Sequence, residues 1–357
     1  MRKKEREAWQ LEQWTEGIRW LLAWMDVCRD RGTEPTSLSE RVYRAVFDTG
    51  ARRGLALRTR QTYARWVARF AKSVGDEREV MNQEACRDWL QVLVARDGMS
   101  FSSQRQALNG LVFFYRDVCG CEEVDLQVKM RKRPPRMPVV LTRAEIHAIL
   151  DRLEPLYRTP ARLQYGSGLR LSELVRLRVK DLDLEEGLLT VRGGKGDRDR
   201  VTMIPENLKE TLVSQLAAAR LLWEEDRAKG VAGVALPGGL GRKFPKAGEQ
   251  WPWAWVFPAQ DLSVDPVSGI RRRHHLHSGV YARAVSRAAK EAQIPKRVTT
   301  HAFRHSFATH IIRGGADIRT LQELLGHADV KTTEIYAHAA QIGNSRGVRS
   351  PLDVVGG

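Results

Sequence analysis

No uninterrupted run of about 18 apolar residues, the length a membrane-crossing helix needs, occurs in this chain of 357 residues. The opening MRKKEREAWQ leads into an amphipathic stretch and not an unbroken apolar one, so neither a signal peptide nor a membrane anchor is expected. Cysteine is scarce. Cys28, Cys86, Cys119 and Cys121 are scattered, none forms a CxxC pair, and the last two stand too close for a typical disulfide framework. A reducing, cytoplasmic setting fits that usage. Acidic residues are also short: 43 Asp+Glu face 59 Lys+Arg, leaving a net charge of +16 and a pI of about 10. Such an excess points to a polyanionic partner, most simply nucleic acid. Hydrophobic content of 42% permits a buried core, and the length suits about two domains.

Residues 1–50 carry Trp9, Trp14, Trp20 and Trp24 among Lys, Arg and Glu. They read as one or two helices, an N-terminal extension to which no function attaches. Residues 51–120 read as a helical bundle. Tyr63, Trp66, Val67 and Phe70 make one apolar stripe at helical spacing, Trp89 and Leu93 suggest a second helix, and Leu108, Leu111, Val112 and Tyr115 a third. Arg58, Arg60, Arg65, Arg69 and Arg105 sit off those stripes, where they can meet phosphates or form a solvated basic face. A linker at 121–140 follows. Its run Lys129, Arg131, Lys132, Arg133 ends in paired prolines that cannot continue a helix. A basic, extended hinge able to touch DNA backbone is expected.

Residues 141–350 read as a second domain. Thr142 and Glu145 form a capping-box start for a helix at 143–153. In YGSGLRLSELVRL, Gly166 and Gly168 allow a tight turn and Ser172 can cap the next helix, which sets Arg170 just ahead of a helix N-terminus where an anion is favoured. Glu173 either braces an arginine or is an ordinary first-turn acid. Leu188–Arg192 and Arg200–Ile204 read as a β-hairpin with Lys195 at its tip. A long helix follows from about Leu208. The segment 236–277 is rich in Gly, Pro and aromatics and reads as irregular or weakly helical. Trp251, Trp253 and Trp255 alternate, so two share a face if the stretch is extended. Aromatic and basic residues so mixed either stack bases and grip phosphates or plug the space under a loop. His274, His275 and His277 lack an acidic or cysteine ligand spaced to complete a metal site, and none is expected. A helix at 278–292 precedes THAFRHSFATHIIRGGADIRTLQELLGHADVKTTEIY. There His301 and Arg304 share a helical face, and Gly326-His327 and then Tyr336 follow. Arginine forks suit non-bridging phosphate oxygens, and a tyrosine hydroxyl is a nucleophile that can form a covalent intermediate. The set suits attack on a phosphodiester.

Together these residues resemble the tyrosine recombinase family over roughly residues 55–345. The family pattern is Arg in a GxR turn, Lys on a hairpin, HxxR, GH and then Tyr. Arg170, Lys195, His301 with Arg304, His327 and Tyr336 stand in that order. The resemblance implies a mainly α fold with a small β-sheet: a helical core-binding domain plus a mixed α/β catalytic domain, closing as a C-shaped clamp on DNA. It implies a strand transferase that needs no metal or cofactor and works as a homotetramer on DNA, monomeric when free and without a membrane partner. The segment 236–277 further resembles the insert of integron integrases. That likeness implies extrahelical-base contacts from Trp253, Pro266, His274 and His275, and two kinds of DNA partner, a duplex integration site and a folded single-stranded hairpin cassette site. A phage-type or chromosome-resolving recombinase acting on duplex sites shares the chemistry and differs in the insert. A type IB topoisomerase uses a similar side-chain set.

Overall fold

A computed structural model describes residues 37–95, 99–126, 138–193, 199–265 and 268–326. The chain is mainly α-helical with two small sheets. It divides between Pro135 and Arg136 into two compact units.

The first unit contains α1 (Leu38–Arg52), α2 (Leu57–Val74), the short α3 (Glu77–Met81), α4 (Gln83–Ala95) and α5 (Phe101–Phe113), which passes into a π-turn at Phe114–Val118. Side-chain oxygens of Ser37, Asp76 and Ser100 cap α1, α3 and α5 by accepting backbone N–H groups, which removes orphan donors at each start. The apolar stripes read from spacing face one another: Val67, Phe70, Leu111 and Tyr115 are buried with Val42 and Val46 of α1. Tyr115 donates its buried hydroxyl to Val80 O (2.9 Å) and Asn82 O (3.1 Å). A boundary at residue 50 would cut through α1, whose buried face belongs to this same core. Residues 1–36 and the linker basics Lys129, Arg131, Lys132 and Arg133 lie outside the described residues.

The second unit opens with α6 (Arg143–Arg152). Its start carries the expected capping box: Thr142 Oγ1 accepts from Glu145 N, and Glu145 Oε2 accepts from Thr142 N. Then come α7 (Pro155–Ser167), α8 (Leu171–Val175), strands β1 (Leu182–Asp183), β2 (Leu188–Val191) and β3 (Arg200–Met203), and the long α9 (Lys209–Ala228). The three strands form an antiparallel sheet in sequence order, with Leu188 opposite Met203 and Val191 opposite Arg200. Leu189 and Val191 alternate inward, as a half-buried strand requires.

The segment 236–277 departs from the irregular reading. After a one-turn helix α10 (Leu240–Lys243), Trp251–Trp253 closes a 3₁₀ turn and is not extended. Strands β4 (Pro258–Val264) and β5 (Arg271–His275) then pair as an antiparallel two-stranded sheet with a register shift between Pro258 and Leu262. Runs of arginine and histidine in β5 carry no strand periodicity, so only cross-strand pairing reveals it. The chain ends its described course with α11 (Ser278–Glu291), α12 (Thr300–Arg313) and α13 (Ile318–Leu325). One hydrophobic core joins α6, α7, β2, α11, α12 and α13, with Tyr165, Leu174, Val256, Tyr281, Phe303 and Phe307 among its members. Among the described residues no helix is long and apolar enough to cross a membrane.

Candidate active site

Two glycine turns bring the site together. Helix α7 ends at Gly168 in the left-handed region, φ 64°, a conformation that costs glycine nothing. A Cβ there would lie 2.5 Å from Phe307 Cδ1, so α12 packs directly on the turn. Arg170 then stands at the N-cap of α8. Ser172 is not the cap. It lies inside the first turn, and Glu173 closes the helix start by accepting the Arg170 backbone N–H at Oε2 (2.8 Å). The second turn is Gly326, φ 62°, at the end of α13, where a Cβ would meet Arg200 Cδ at 2.7 Å.

Glu173 is the hub between these turns. Its Oε1 accepts from Arg170 Nη1 (2.7 Å) and Arg200 Nη1 (2.8 Å), and its Oε2 from Arg200 Nη2 (2.6 Å). Arg304 Nη1 lies 3.9 Å from Oε2. Arg200 also donates Nε to Leu324 O (2.9 Å), and Arg304 donates to Gly168 O (2.6 Å) and Leu325 O (2.7 Å). Carbonyls at the ends of α7 and α13 are thereby bound to two buried guanidinium groups. Burial of Glu173 works against ionisation, yet hydrogen bonds and charge from Arg200, then Arg170, outweigh it and hold the carboxyl down to about 2. Three guanidinium groups around one carboxylate leave the site positive, which favours an anion.

His301 sits in the first turn of α12, exposed, with its ring 5.9 Å from that of His305 and edge-on to it. Desolvation, then the charges of Arg304 and Arg170, push its pKa below the ordinary 6.5. At neutral pH His301 is therefore a proton acceptor. Burial and the neighbouring His301 depress His305 further, to about 4.

Arg170 and Arg304 are thus gathered at one carboxylate, with His301 close enough to feel the charges of both, and Arg200, read from sequence only as a strand residue, joins them. Its one signal was position, an arginine opening the return strand of the lysine hairpin. Lys195, His327 and Tyr336 lie outside the described residues, as does Pro266.

The insert candidates are not gathered in one place. His274 and His275 line a cavity of about 560 Å³ with Leu156, Tyr157, Gln260 and Val280. His274 Nε2 is buried without a partner among the described residues. His275 donates Nδ1 to Leu276 O (2.9 Å) and meets the edge of Trp255 at 5.0 Å. His277 caps α11 by accepting Gly279 N–H. Trp253 is absent from that cavity wall and instead lies under Lys180. In the first unit, Arg58 and Arg105 are exposed. Arg60 is not free to reach outward: its guanidinium lies 4.9 Å from the Phe47 ring, holding α2 to α1.

Two family models match the chain. The phage integrase family model spans residues 139–342, and the phage integrase N-terminal SAM-like domain spans residues 42–123. An integrase/recombinase of Escherichia coli is 47% identical over 302 residues, covering 84% of this chain and 89% of that protein. The tyrosine recombinase XerA of Thermococcus kodakarensis is 31% identical over 290 residues, covering 79% and 85%. Among solved structures, the Tn1549 transposon integrase in complex with transposon right end DNA is similar in fold, with a TM-score of 0.56 at 18% identity over 83% of this chain and 94% of that one. The chain belongs to the phage integrase family of tyrosine recombinases, which are site-specific DNA recombinases.

Proposed function

We propose that the chain cuts and rejoins DNA through a 3′-phosphotyrosyl intermediate, with Tyr336 as nucleophile. The observation that carries this reading is the gathering of Arg170 and Arg304 at one buried carboxylate, 2.7 Å from Arg170 and 3.9 Å from Arg304, with His301 within reach of both charges. The two arginines brace the non-bridging oxygens of the scissile phosphate as charge grows in the transition state. His301, kept neutral by its surroundings, accepts the Tyr336 proton. His327 adds a hydrogen bond to the phosphate, and Lys195 protonates the departing 5′-oxygen. The phosphorus–oxygen bond to the 5′ side breaks as the bond to Tyr336 forms. A 5′-hydroxyl from a second strand reverses the step, so the phosphodiester energy is kept. A suicide substrate that traps covalent DNA tests the assignment. Tyr336→Phe is expected to bind DNA and give no adduct, and an adduct in that variant overturns it.

The substrate we propose is an integron-type pair, a duplex integration site and a folded single-stranded cassette hairpin, recombined within a homotetramer. Support comes from an ordered aromatic and histidine-rich insert whose His274/His275 cavity of about 560 Å³ is large enough to admit a nucleobase. Extruding an already unpaired base avoids the few kcal/mol that flipping one from a duplex costs. In a gel-shift titration the bottom strand of a hairpin-forming cassette site should bind more tightly than its duplex form. Equal affinities would favour a phage-type or chromosome-resolving enzyme acting on duplex sites.

A further inference from the structure

Between α8 and β1 the chain makes a 3₁₀ turn, Val179–Asp181, that faces the insert. Lys180 Nζ stands 3.0 Å from the centroid of the Trp253 ring. Arg178 is anchored beside it, with its guanidinium 3.4 Å from the Trp255 centroid and donating to Trp253 O and Ala235 O, both at 2.8 Å. The nearby carboxylate is already committed. Asp181 accepts the Arg178 backbone N–H (2.9 Å) and Arg192 Nε (2.8 Å) and is 5% exposed. Arg192 also reaches Asp199 at 3.4 Å.

Three cations therefore crowd one satisfied carboxylate: Arg192 is ion-paired to it, Arg178 spends its guanidinium on two carbonyls, and Lys180 is left with only the ring of Trp253. Its ammonium rests on an aromatic face. Desolvation lowers its pKa, Asp181 opposes that, and Arg192 and Arg178 lower it further. Placed there, the charge is short of an anion. A lysine is a compact charge on a flexible four-carbon stem, so it can leave the ring without disturbing Arg178, whose hydrogen bonds fix the insert to the body.

We propose that Lys180 is a specificity-determining residue: it covers the face of Trp253 in the DNA-free protein, yields that face to an unpaired base, and closes on the phosphate of the same nucleotide. The proposal rests on the reading of Trp253 as a base-stacking residue. The exchange trades a cation–π contact for a charge-assisted hydrogen bond. It takes place only for a nucleotide whose base can reach the ring, so a fully paired site leaves Lys180 where it is.

Salt titration tests this with two hairpins, one carrying a single unpaired base and one with that base deleted. For the wild-type chain, the slope of log affinity against log salt should be steeper by about one for the unpaired-base hairpin, as one added phosphate contact requires. Lys180→Gln should close that gap and cut the preference for the unpaired base on the order of tenfold, while Lys180→Arg should keep both. A gap that survives in Lys180→Gln overturns the proposal. So do equal slopes in the wild type, or a Lys180→Gln that weakens both hairpins by one factor, the mark of a purely structural contact. Trp253→Ala separates the two levels. If it keeps the wild-type preference, the base-stacking reading itself fails. If it loses the preference while Lys180→Gln does not, only the role of Lys180 fails.

Discussion

At the scale of the residue, one carboxylate organises three arginines that would otherwise repel. The Glu173 side chain is buried and ionised by its partners, with a pKa of about 2 against an ordinary 4.5. Removing one member of such a buried set leaves the others uncompensated. Glu173→Gln should therefore lower stability at pH 7 by roughly 3 kcal/mol, read by urea unfolding. The sign with pH follows from the depressed value. The carboxylate's contribution is complete above the unfolded-state pKa and is lost as pH falls from about 4.5 toward 2. The gap between wild type and Glu173→Gln should narrow across that window, and a gap that held constant would show that the charge is not what Glu173 supplies. His301 has the opposite character. Its depressed pKa keeps the ring uncharged at neutral pH, the form a proton acceptor needs.

At the scale of the element, the site depends on where helices stop. Gly168 ends α7 and hands its carbonyl to Arg304 at 2.6 Å, while a Cβ on it would lie 2.5 Å from Phe307 Cδ1 of α12. An added methyl must both hold φ 64° and displace a buried ring. Gly168→Ala should cost about 3 kcal/mol from backbone strain and overpacking together. It should also slow adduct formation by on the order of 100-fold through misplacement of Arg304. A thermal melt and a suicide-substrate time course measure the two effects separately, and a normal rate in a destabilised protein would show that the turn serves packing alone. Gly326 at the end of α13 obeys the same geometry toward Arg200.

At the scale of the whole molecule, the insert is part of the second unit's core and not an attachment to it. Val256 and Phe257 are buried in the central cluster, and Ala254 and Trp255 are 5% and 7% exposed. Backbone hydrogen bonds Val179 N to Ala254 O and Val256 N to Leu177 O seat the segment beside α8. Excising residues 236–268 would remove these side chains and leave β5 without its partner β4. Such a deletion should abolish a cooperative thermal transition of the second unit. Trp253→Ala, at a half-buried position, should keep one. A deletion protein that still melted cooperatively would show that the segment is dispensable to the fold. Substrate choice in this chain is therefore tested by point substitution.

The sequence by itself determined what depends on near neighbours: the capping box at Thr142 and Glu145, the glycine turn before Arg170, the pairing of His301 with Arg304 on one helix, and the order of the polar set. Local backbone preference and helical spacing decide these, and both are written in a few consecutive residues. Only tertiary structure decided that Glu173 would bind Arg200, 27 residues away, that Arg304 would hold a carbonyl 136 residues away, and that Lys180 would lie on Trp253. It also turned an arginine- and histidine-rich stretch into strand β5, because cross-strand hydrogen bonds outweigh weak local preference there. The physical reason is common to all of these. A charge or a strand finds its partner through the packing of distant elements, and no local rule ranks one candidate partner above another until that packing exists.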